Sequence, residues 1–176
     1  DEGIFLQVAK PDAPETHTGW SFGGQFADFN NDGLLDLYVC NYLDSVESET
    51  VALSDSIYNA VDGGMNRLYR NLGNLKFNDV TGTTGMDVDA TRMSLAASWE
   101  DFDNDGDMDL YVANDFGPNA LYRNEAGKFA QVALKAGADD PSFGMSVTWG
   151  DINRDGLMDA CISNMFSAAG NRITAQ

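Results

Sequence analysis

Three short acidic loops carry most of the residues of this chain that could do chemistry. They read DFNNDGLLD at 28–36 (loop 1), DFDNDGDMD at 101–109 (loop 2) and DINRDGLMD at 151–159 (loop 3). Each has Asp or Asn at its positions 1, 3, 5 and 9 and Gly at position 6. Because Ca²⁺ takes about six to eight oxygen ligands, alternate oxygens of a tight turn suit it. The spacing therefore predicts three calcium sites.

The predicted ligands are four side chains per loop and the backbone carbonyl of position 7, which belongs to Leu34, Asp107 or Leu157. The full sets are Asp28, Asn30, Asp32, Leu34 and Asp36 in loop 1; Asp101, Asp103, Asp105, Asp107 and Asp109 in loop 2; and Asp151, Asn153, Asp155, Leu157 and Asp159 in loop 3. No loop contains His or Cys, which argues against zinc and copper, and Mg²⁺ is disfavoured because it keeps its waters. Without a cation the crowded carboxylates would repel one another, so we expect the calcium to be structural.

Two other interpretations fit the loops less well. An EF-hand needs Glu at loop position 12, where this chain has Val39, Val112 and Ile162, and it needs flanking helices. Simple Asx-type turns would also favour Asp, Asn and Gly. Turn chemistry does not require the carboxylate that recurs at position 9, so metal binding is the preferred interpretation.

The residues around the loops repeat as well. Before each loop the positions six, four and two residues upstream are mostly apolar, a period of two that predicts a strand: Phe22, Gly24, Phe26; Leu95, Ala97, Trp99; Met145, Val147, Trp149. After each loop a second strand-like run ends in Asn41, Asn114 or Asn164. Each loop therefore joins two strands of a hairpin. Phe26, Trp99 and Trp149 share one repeat position, which is expected to pack in the core.

Two further runs complete the repeat. NRLYRN at 66–71 matches NALYRN at 119–124 and NRITAQ at 171–176, which predicts a third strand. KFNDV at 76–80 matches KFAQV at 128–132 and IFLQV at 4–8, which predicts a fourth. Four short antiparallel strands per repeat are typical of a β-propeller blade. The chain is predicted to be all-β, a partial propeller with two full and two partial blades.

The predicted blade boundaries follow from these runs. Residues 1–9 hold the last strand of a preceding blade, and 20–81, 93–133 and 143–176 hold the others, the final one truncated. An insertion at 42–65 interrupts the first, and its loosely helical apolar spacing predicts a short helix. Cys40 and Cys161 fall on blades separated by another, too far apart for a disulfide, and both are predicted to be small buried residues.

At these residues the chain resembles the FG-GAP/VCBS repeat family, the integrin-α-type propellers with Asp-x-Asp-x-Asp-Gly-x-x-Asp loops. Phe22-Gly23 and Phe143-Gly144 echo the Phe-Gly pair of the family name, whereas the second repeat has Met93-Ser94. NRLYRN with KFNDVT is similar to the branch that includes acidic secreted cartilage protein and its bacterial relatives. The resemblance implies calcium-stabilised blades, an extracellular, secreted or periplasmic location, and a role in cell adhesion or ligand recognition.

Composition limits the partners. The formal net charge of −18 repels nucleic acid and anionic membranes, and no apolar stretch is long enough to span a bilayer. We therefore expect no nucleic acid partner and no membrane insertion. The propeller architecture and the resemblance imply a ligand, which we expect to be a protein or a carbohydrate. Self-association through open blade edges is a further expectation, since unpaired edges favour it.

No catalytic constellation is recognised, so the chain is expected not to be an enzyme. His17 is the single histidine, and the clustered acids are already assigned to calcium. The alternative is an accessory, non-catalytic domain of a larger secreted enzyme, such as a carbohydrate- or lipid-active hydrolase.

Trp20 stands outside the strand register and is expected either to stack on a sugar or to cover the rim. Arg67, Arg70 and Arg123 recur on the third strands and are expected to pair between blades.

Overall fold

The computed structural model of the protein describes residues 19–43 and 59–165. Their strands form three antiparallel sheets. Sheet 1 contains β1 (Trp20–Ala27), β2 (Asp36–Leu43), β3 (Arg67–Asn71) and β4 (Phe77–Asp79); sheet 2 contains β5 (Met93–Glu100), β6 (Asp109–Asp115), β7 (Ala120–Glu125) and β8 (Lys128–Gln131); sheet 3 contains β9 (Gly144–Gly150) and β10 (Asp159–Asn164). Single-turn helices α1 (Thr81–Thr84) and α2 (Ala133–Ala136) follow sheets 1 and 2. No helix in the described ranges has the length and apolarity needed to cross a membrane.

The predicted strand order is confirmed. In sheets 1 and 2 the four strands pair in sequence order, each antiparallel to the next, and each acidic loop joins the first two strands of its sheet. The strands predicted at 4–8 and 171–176 lie outside the described residues, as does most of the 42–65 insertion with its predicted helix. The structure is therefore all-β, with the four-stranded antiparallel sheets typical of propeller blades.

The sheets stack face to face, and the two cores lie between them. We call the face that carries Phe26, Trp99 or Trp149 the front face of its sheet, and the opposite face the rear face. Between sheets 1 and 2 the ring of Tyr38 meets the ring of Trp99 edge-on, with centroids 6.3 Å apart. Tyr111 meets Trp149 in the same way at 6.1 Å between sheets 2 and 3. The front of each later sheet thus packs on the rear of the one before it.

Two burial predictions are wrong, for the same physical reason. Phe26 was expected in the core, yet it is 57 % exposed, whereas Trp99 at the equivalent position is 8 % exposed. Cys161 was expected to be buried and is exposed, whereas Cys40 is buried as predicted. Phe26 lies on the front of sheet 1 and Cys161 on the rear of sheet 3. No sheet among the described residues packs on either face. Both cysteines are free thiols.

A pair of asparagines closes the strand ends opposite the loops. The backbone N–H of Asn41 donates to Oδ1 of Asn66 at 2.8 Å, and that of Asn114 donates to Oδ1 of Asn119 at 2.8 Å. The side-chain amides of Asn41 and Asn114 each donate to the carbonyl just before the second asparagine of the pair. This explains the recurring Asn in sheets 1 and 2, because it ties the second strand to the start of the third; in sheet 3 the amide of Asn164 donates to Asp140 at 3.0 Å.

Candidate metal centre

The three loops adopt one backbone conformation. Position 4 is left-handed in each, with φ of 58° at Asn31, 58° at Asn104 and 64° at Arg154. The Gly at position 6 has φ between 85° and 93° in all three loops, a region that side chains disfavour. The repeated Gly and polar residues are therefore what allows the chain to wind tightly around a central point.

The carboxylate at position 1 faces into the turn. Asp101 accepts the backbone N–H groups of positions 5 and 6, both at 3.0 Å, and Asp28 and Asp151 do the same in their loops. These are the hydrogen bonds of an Asx-type turn. Each carboxylate oxygen has a further lone pair that a cation can use. Turn geometry and metal binding are therefore compatible at this position.

The carboxylate at position 9 joins the loop to the rest of its sheet. Asp109 accepts the N–H of Phe102 at 3.2 Å and that of Asn124 at 2.7 Å, and Asp36 accepts the N–H of Phe29 and of Asn71 in loop 1. In loop 3, Asp159 accepts the N–H of position 2. Position 9 thus has a structural partner as well as a place among the predicted ligands.

Asn71 and Asn124 are site residues that the sequence reasoning missed. Each donates its side-chain amide to the carbonyl of loop position 8, Asn71 to Leu35 at 2.9 Å and Asn124 to Met108 at 3.1 Å. Their backbone N–H groups bind the position-9 carboxylate. The signal was present, because NRLYRN and NALYRN both end in Asn. The Asn at the end of each of these two runs therefore holds the end of its loop in place.

Loop 2 brings its carboxylates closest together. One oxygen from each of Asp101, Asp103 and Asp109 lies within 4.8 Å of the others, and in residues 19–43 and 59–165 no other group of three acidic, His or Cys ligands is this compact. Burial and, to a smaller extent, the nearby Asp103 and Asp105 carboxylates raise the pKa of Asp109 to about 7. Its hydrogen-bond donors are two neutral N–H groups. A divalent cation would supply the positive charge that this buried carboxylate lacks, so the residues fit the predicted ion.

Loops 1 and 3 hold the same residues in different pairings. In loop 1, Arg70 donates to Oδ2 of Asp32 at 2.9 Å, and this bond lowers the pKa of Asp32. In loop 3, the amide of Asn153 donates to Oδ2 of Asp155 at 2.9 Å. In both loops the position-5 carboxylate is therefore engaged by a neighbouring donor, and the predicted ligands are less closely grouped than in loop 2.

The arginine pairings correct one prediction. Arg67 binds Asp79 at 3.2 Å, Arg70 binds Asp32, and Arg123 binds Glu125. Each pair lies within a single sheet and its loop, so the expectation that these arginines pair between blades is wrong. The partners are supplied by the adjacent strand, the loop of the same sheet or the same strand two residues on, where side chains share a face.

The fold and the loops together define a class: a repeat protein of four-stranded antiparallel sheets, each with an acidic loop in its first hairpin. The family model for the FG-GAP-like repeat matches the chain twice, over residues 53–112 and 101–162. These matches span more than half of the chain, which therefore belongs to the FG-GAP-like repeat family. They identify the repeat and no finer branch. The comparison with curated proteins found no significant match.

Proposed function

We propose that this chain is a calcium-binding segment of a β-propeller, with one structural Ca²⁺ in each acidic loop and a face of loops that recognises a ligand. The observation that supports it most directly is the grouping of Asp101, Asp103 and Asp109 around one turn, in which the buried Asp109 has no cationic partner among the described residues. In each loop the ion would be held by the side chains of positions 1, 3, 5 and 9 and the carbonyl of position 7. Its chemistry would be charge compensation, which stabilises the hairpin.

The recognition role follows from the architecture. Connecting segments of stacked sheets lie together at the ends of the strands, where rigid scaffolds usually present binding residues. The strong negative charge disfavours nucleic acid, and the partner that we propose is a protein or a carbohydrate. We propose no catalytic role, because the grouped carboxylates are assigned to the ions. Membership of the FG-GAP-like repeat family agrees with a module for ligand recognition.

We further propose that the module works outside the cell or in the periplasm. Calcium sites of extracellular modules bind at about 10⁻⁴ to 10⁻³ M, a range that needs abundant free calcium. A structural role for such weak sites would fail where free calcium is scarce. The proposed location therefore follows from the proposed ion and the short, exposed loops that would bind it.

The test is thermal unfolding of the purified chain after chelation, followed by titration with Ca²⁺ and, separately, Mg²⁺. Calcium at about 100 times its dissociation constant stabilises a single site by about 2.7 kcal/mol. We expect a large rise in melting temperature with calcium and a small one with magnesium. An unchanged melting curve would show that the loops are only turns. An equal response to both ions would contradict calcium selectivity.

A further inference from the structure

The side chain of Asn124 joins loop 1 to loop 2. It is buried, and its amide donates to the carbonyl of Phe29 in loop 1 at 2.8 Å and to the carbonyl of Met108 in loop 2 at 3.1 Å. Its Oδ1 accepts the N–H of Gly127 at 2.8 Å, which fixes the orientation of the amide. Both N–H donors of this side chain are therefore used, and they end on different loops.

The two carbonyls flank predicted calcium ligands. Phe29 stands at position 2 of loop 1, between the ligands at positions 1 and 3, and Met108 stands at position 8 of loop 2, between those at positions 7 and 9. The backbone N–H of Asn124 also binds the position-9 carboxylate of loop 2, at 2.7 Å. A change in the ligand positions of either loop therefore acts on the hydrogen bonds of one shared side chain.

Loop 1 also packs on the sheet that carries loop 2. The ring of Phe29 is 3 % exposed and lies against Phe129 of sheet 2, with ring centroids 5.8 Å apart. Between loops 2 and 3 the described residues form one hydrogen bond, 3.4 Å long, from the side-chain amide of Asn104. Within the described part of the chain, loop 2 is therefore tied more closely to loop 1 than to loop 3.

We propose that Asn124 couples the calcium sites of loops 1 and 2, so that an ion in either loop raises the affinity of the other. The inference rests on the proposed function, because it needs an ion in each of these loops. Binding fixes the backbone of one loop and with it the shared amide, which lowers the entropy cost of ordering the second loop. By linkage the two ions raise each other's affinity by the same factor, about fivefold or more for typical coupling.

The sign of the effect separates this mechanism from electrostatics. A bound cation repels the next one, so charge alone would weaken binding of the second ion, and salt would screen that effect. Coupling through a buried amide acts in the opposite direction and depends little on salt. A higher affinity of the second site therefore reports on the shared hydrogen bonds.

Each loop contains its own reporter, because the Gly at position 6 donates its backbone N–H to the position-1 carboxylate. We would follow the amide signals of Gly33, Gly106 and Gly156 by heteronuclear NMR while calcium is added to the metal-free chain, in about 0.15 M salt. Loop 2 has a carboxylate at all four side-chain ligand positions, whereas loop 1 has Asn30 at one, so we expect Gly106 to respond first. The titration yields a separate dissociation constant for each loop.

Asp103→Ala removes an exposed ligand of loop 2 and tests the effect on loop 1. We expect the dissociation constant measured at Gly33 to rise about fivefold or more, and that at Gly156 to change less. Asp103→Asn is the matched control, because it removes the same charge and keeps an oxygen ligand, as Asn30 does at this position of loop 1. This control should leave the affinity at Gly33 close to that of the unmodified chain.

The role of Asn124 is tested by removing its amide. In an Asn124→Ala background, the effect of Asp103→Ala on the Gly33 site should fall below about twofold. Asn71→Ala is the control background, because Asn71 makes the same bond to its own loop, at Leu35, and binds no other loop among the described residues. There the coupling should persist. If Asn124→Ala does not fold, Asn124→Ser takes its place, since one hydroxyl can donate to only one of the two carbonyls.

Several outcomes would contradict the proposal. An unchanged or lower dissociation constant at Gly33 in Asp103→Ala would mean that the sites are independent or coupled by charge alone. An equal loss of affinity at all three glycines would indicate general destabilisation, and coupling of full size without the Asn124 amide would place the link elsewhere. If no glycine signal responds to calcium in the unmodified chain, the proposed function itself fails, whereas three independent sites would leave that function standing.

Discussion

The side-chain amide of Asn31 donates a hydrogen bond to Oδ1 of Asp107 at 2.9 Å, and so connects loop 1 of sheet 1 to loop 2 of sheet 2. The other oxygen of Asp107 accepts the N–H of Ala126 at 2.7 Å. One step further along, Asn104 donates to the carbonyl of Gly156 in loop 3 at 3.4 Å. Both donors occupy loop position 4 in the left-handed conformation. In loops 1 and 2 the residue at position 4 therefore donates a hydrogen bond to the loop of the next sheet.

Replacing Asn31 with Gly tests whether this link stabilises the protein. Gly adopts the left-handed conformation without strain, so the variant removes the donor and leaves the turn. We expect a loss of about 0.5–1 kcal/mol in the free energy of unfolding, the range for an exposed charge-assisted hydrogen bond. Asn74→Gly is the matched control, since Asn74 also has a positive φ of 51° and its side chain makes no hydrogen bond with the residues that the structure describes. Equal losses for the two variants in chemical denaturation would contradict a role for the link.

Asp103 separates metal binding from turn formation. Its side chain is exposed and accepts no hydrogen bond from residues 19–43 or 59–165, although it lies in the loop 2 group. Asp103→Ala should therefore change the stability of the metal-free chain by less than about 0.5 kcal/mol. At calcium about 100 times the dissociation constant, the variant should lack the roughly 2.7 kcal/mol that loop 2 would contribute. The measurement is thermal unfolding with and without chelator.

Asp62→Ala is the control for this prediction, because Asp62 is an exposed acid outside the loops. It should respond to calcium as the unmodified chain does. Asp109→Ala should differ from both, since its carboxylate also binds the N–H groups of Phe102 and Asn124 and its loss should destabilise the metal-free chain. A full calcium response in Asp103→Ala would rule out Asp103 as a ligand.

Equivalent positions on different sheets should differ sharply in their contribution to stability. Trp99 packs against Tyr38 and Phe129 between two sheets, and Trp99→Ala should lower the free energy of unfolding by about 3–5 kcal/mol. Phe26→Ala, at the same repeat position but exposed, should lower it by less than about 1 kcal/mol. Denaturation followed by circular dichroism, at a concentration that keeps the chain monomeric, measures both. Similar losses would mean that Phe26 is covered in solution.

The strands were predictable because they depend on local pattern. NRLYRN and KFNDV are short runs with strand-forming residues bounded by turn residues, and they pair as expected in sheet 1. Burial was not predictable in the same way. The alternation shows that Phe26 shares a face with its neighbours, yet whether another sheet packs on that face depends on residues distant in the chain. The burial predictions for Phe26 and Cys161 were wrong for that reason.

The loops were predictable in their residues and only partly in their contacts. The spacing of Asp and Gly is a property of nine consecutive residues, and the shared turn follows from it. The pairing of Asp32 with Arg70 depends on where the third strand begins, and the link from Asn31 to Asp107 depends on how two sheets stack. Such contacts between distant segments leave no trace in the spacing of one loop.

Asp115 is a buried carboxylate outside the loops whose ionisation should oppose folding. Burial raises its pKa above the ordinary 3.8, although the hydroxyl of Tyr42 donates to Oδ2 at 2.9 Å and partly offsets this. Oδ1 is buried and accepts no hydrogen bond within the described part of the chain. Since the folded state binds the proton more tightly, the contribution of Asp115 to stability is fully present below about pH 3.8 and is lost as the pH rises through its folded pKa.

Asp115→Asn removes that ionisation while keeping an oxygen that can accept from Tyr42. The variant should therefore gain stability relative to the unmodified chain as the pH rises from about 3.8 toward neutrality, and the difference should then level off. The measurement is the free energy of unfolding at a series of pH values in metal-free buffer, with the two proteins compared at each pH. Asp62→Asn removes the same charge from an exposed position and corrects for the change in net charge. If the difference between Asp115→Asn and the unmodified chain were constant across this range, Asp115 would have the same pKa in the folded and unfolded states, and its burial would carry no electrostatic cost.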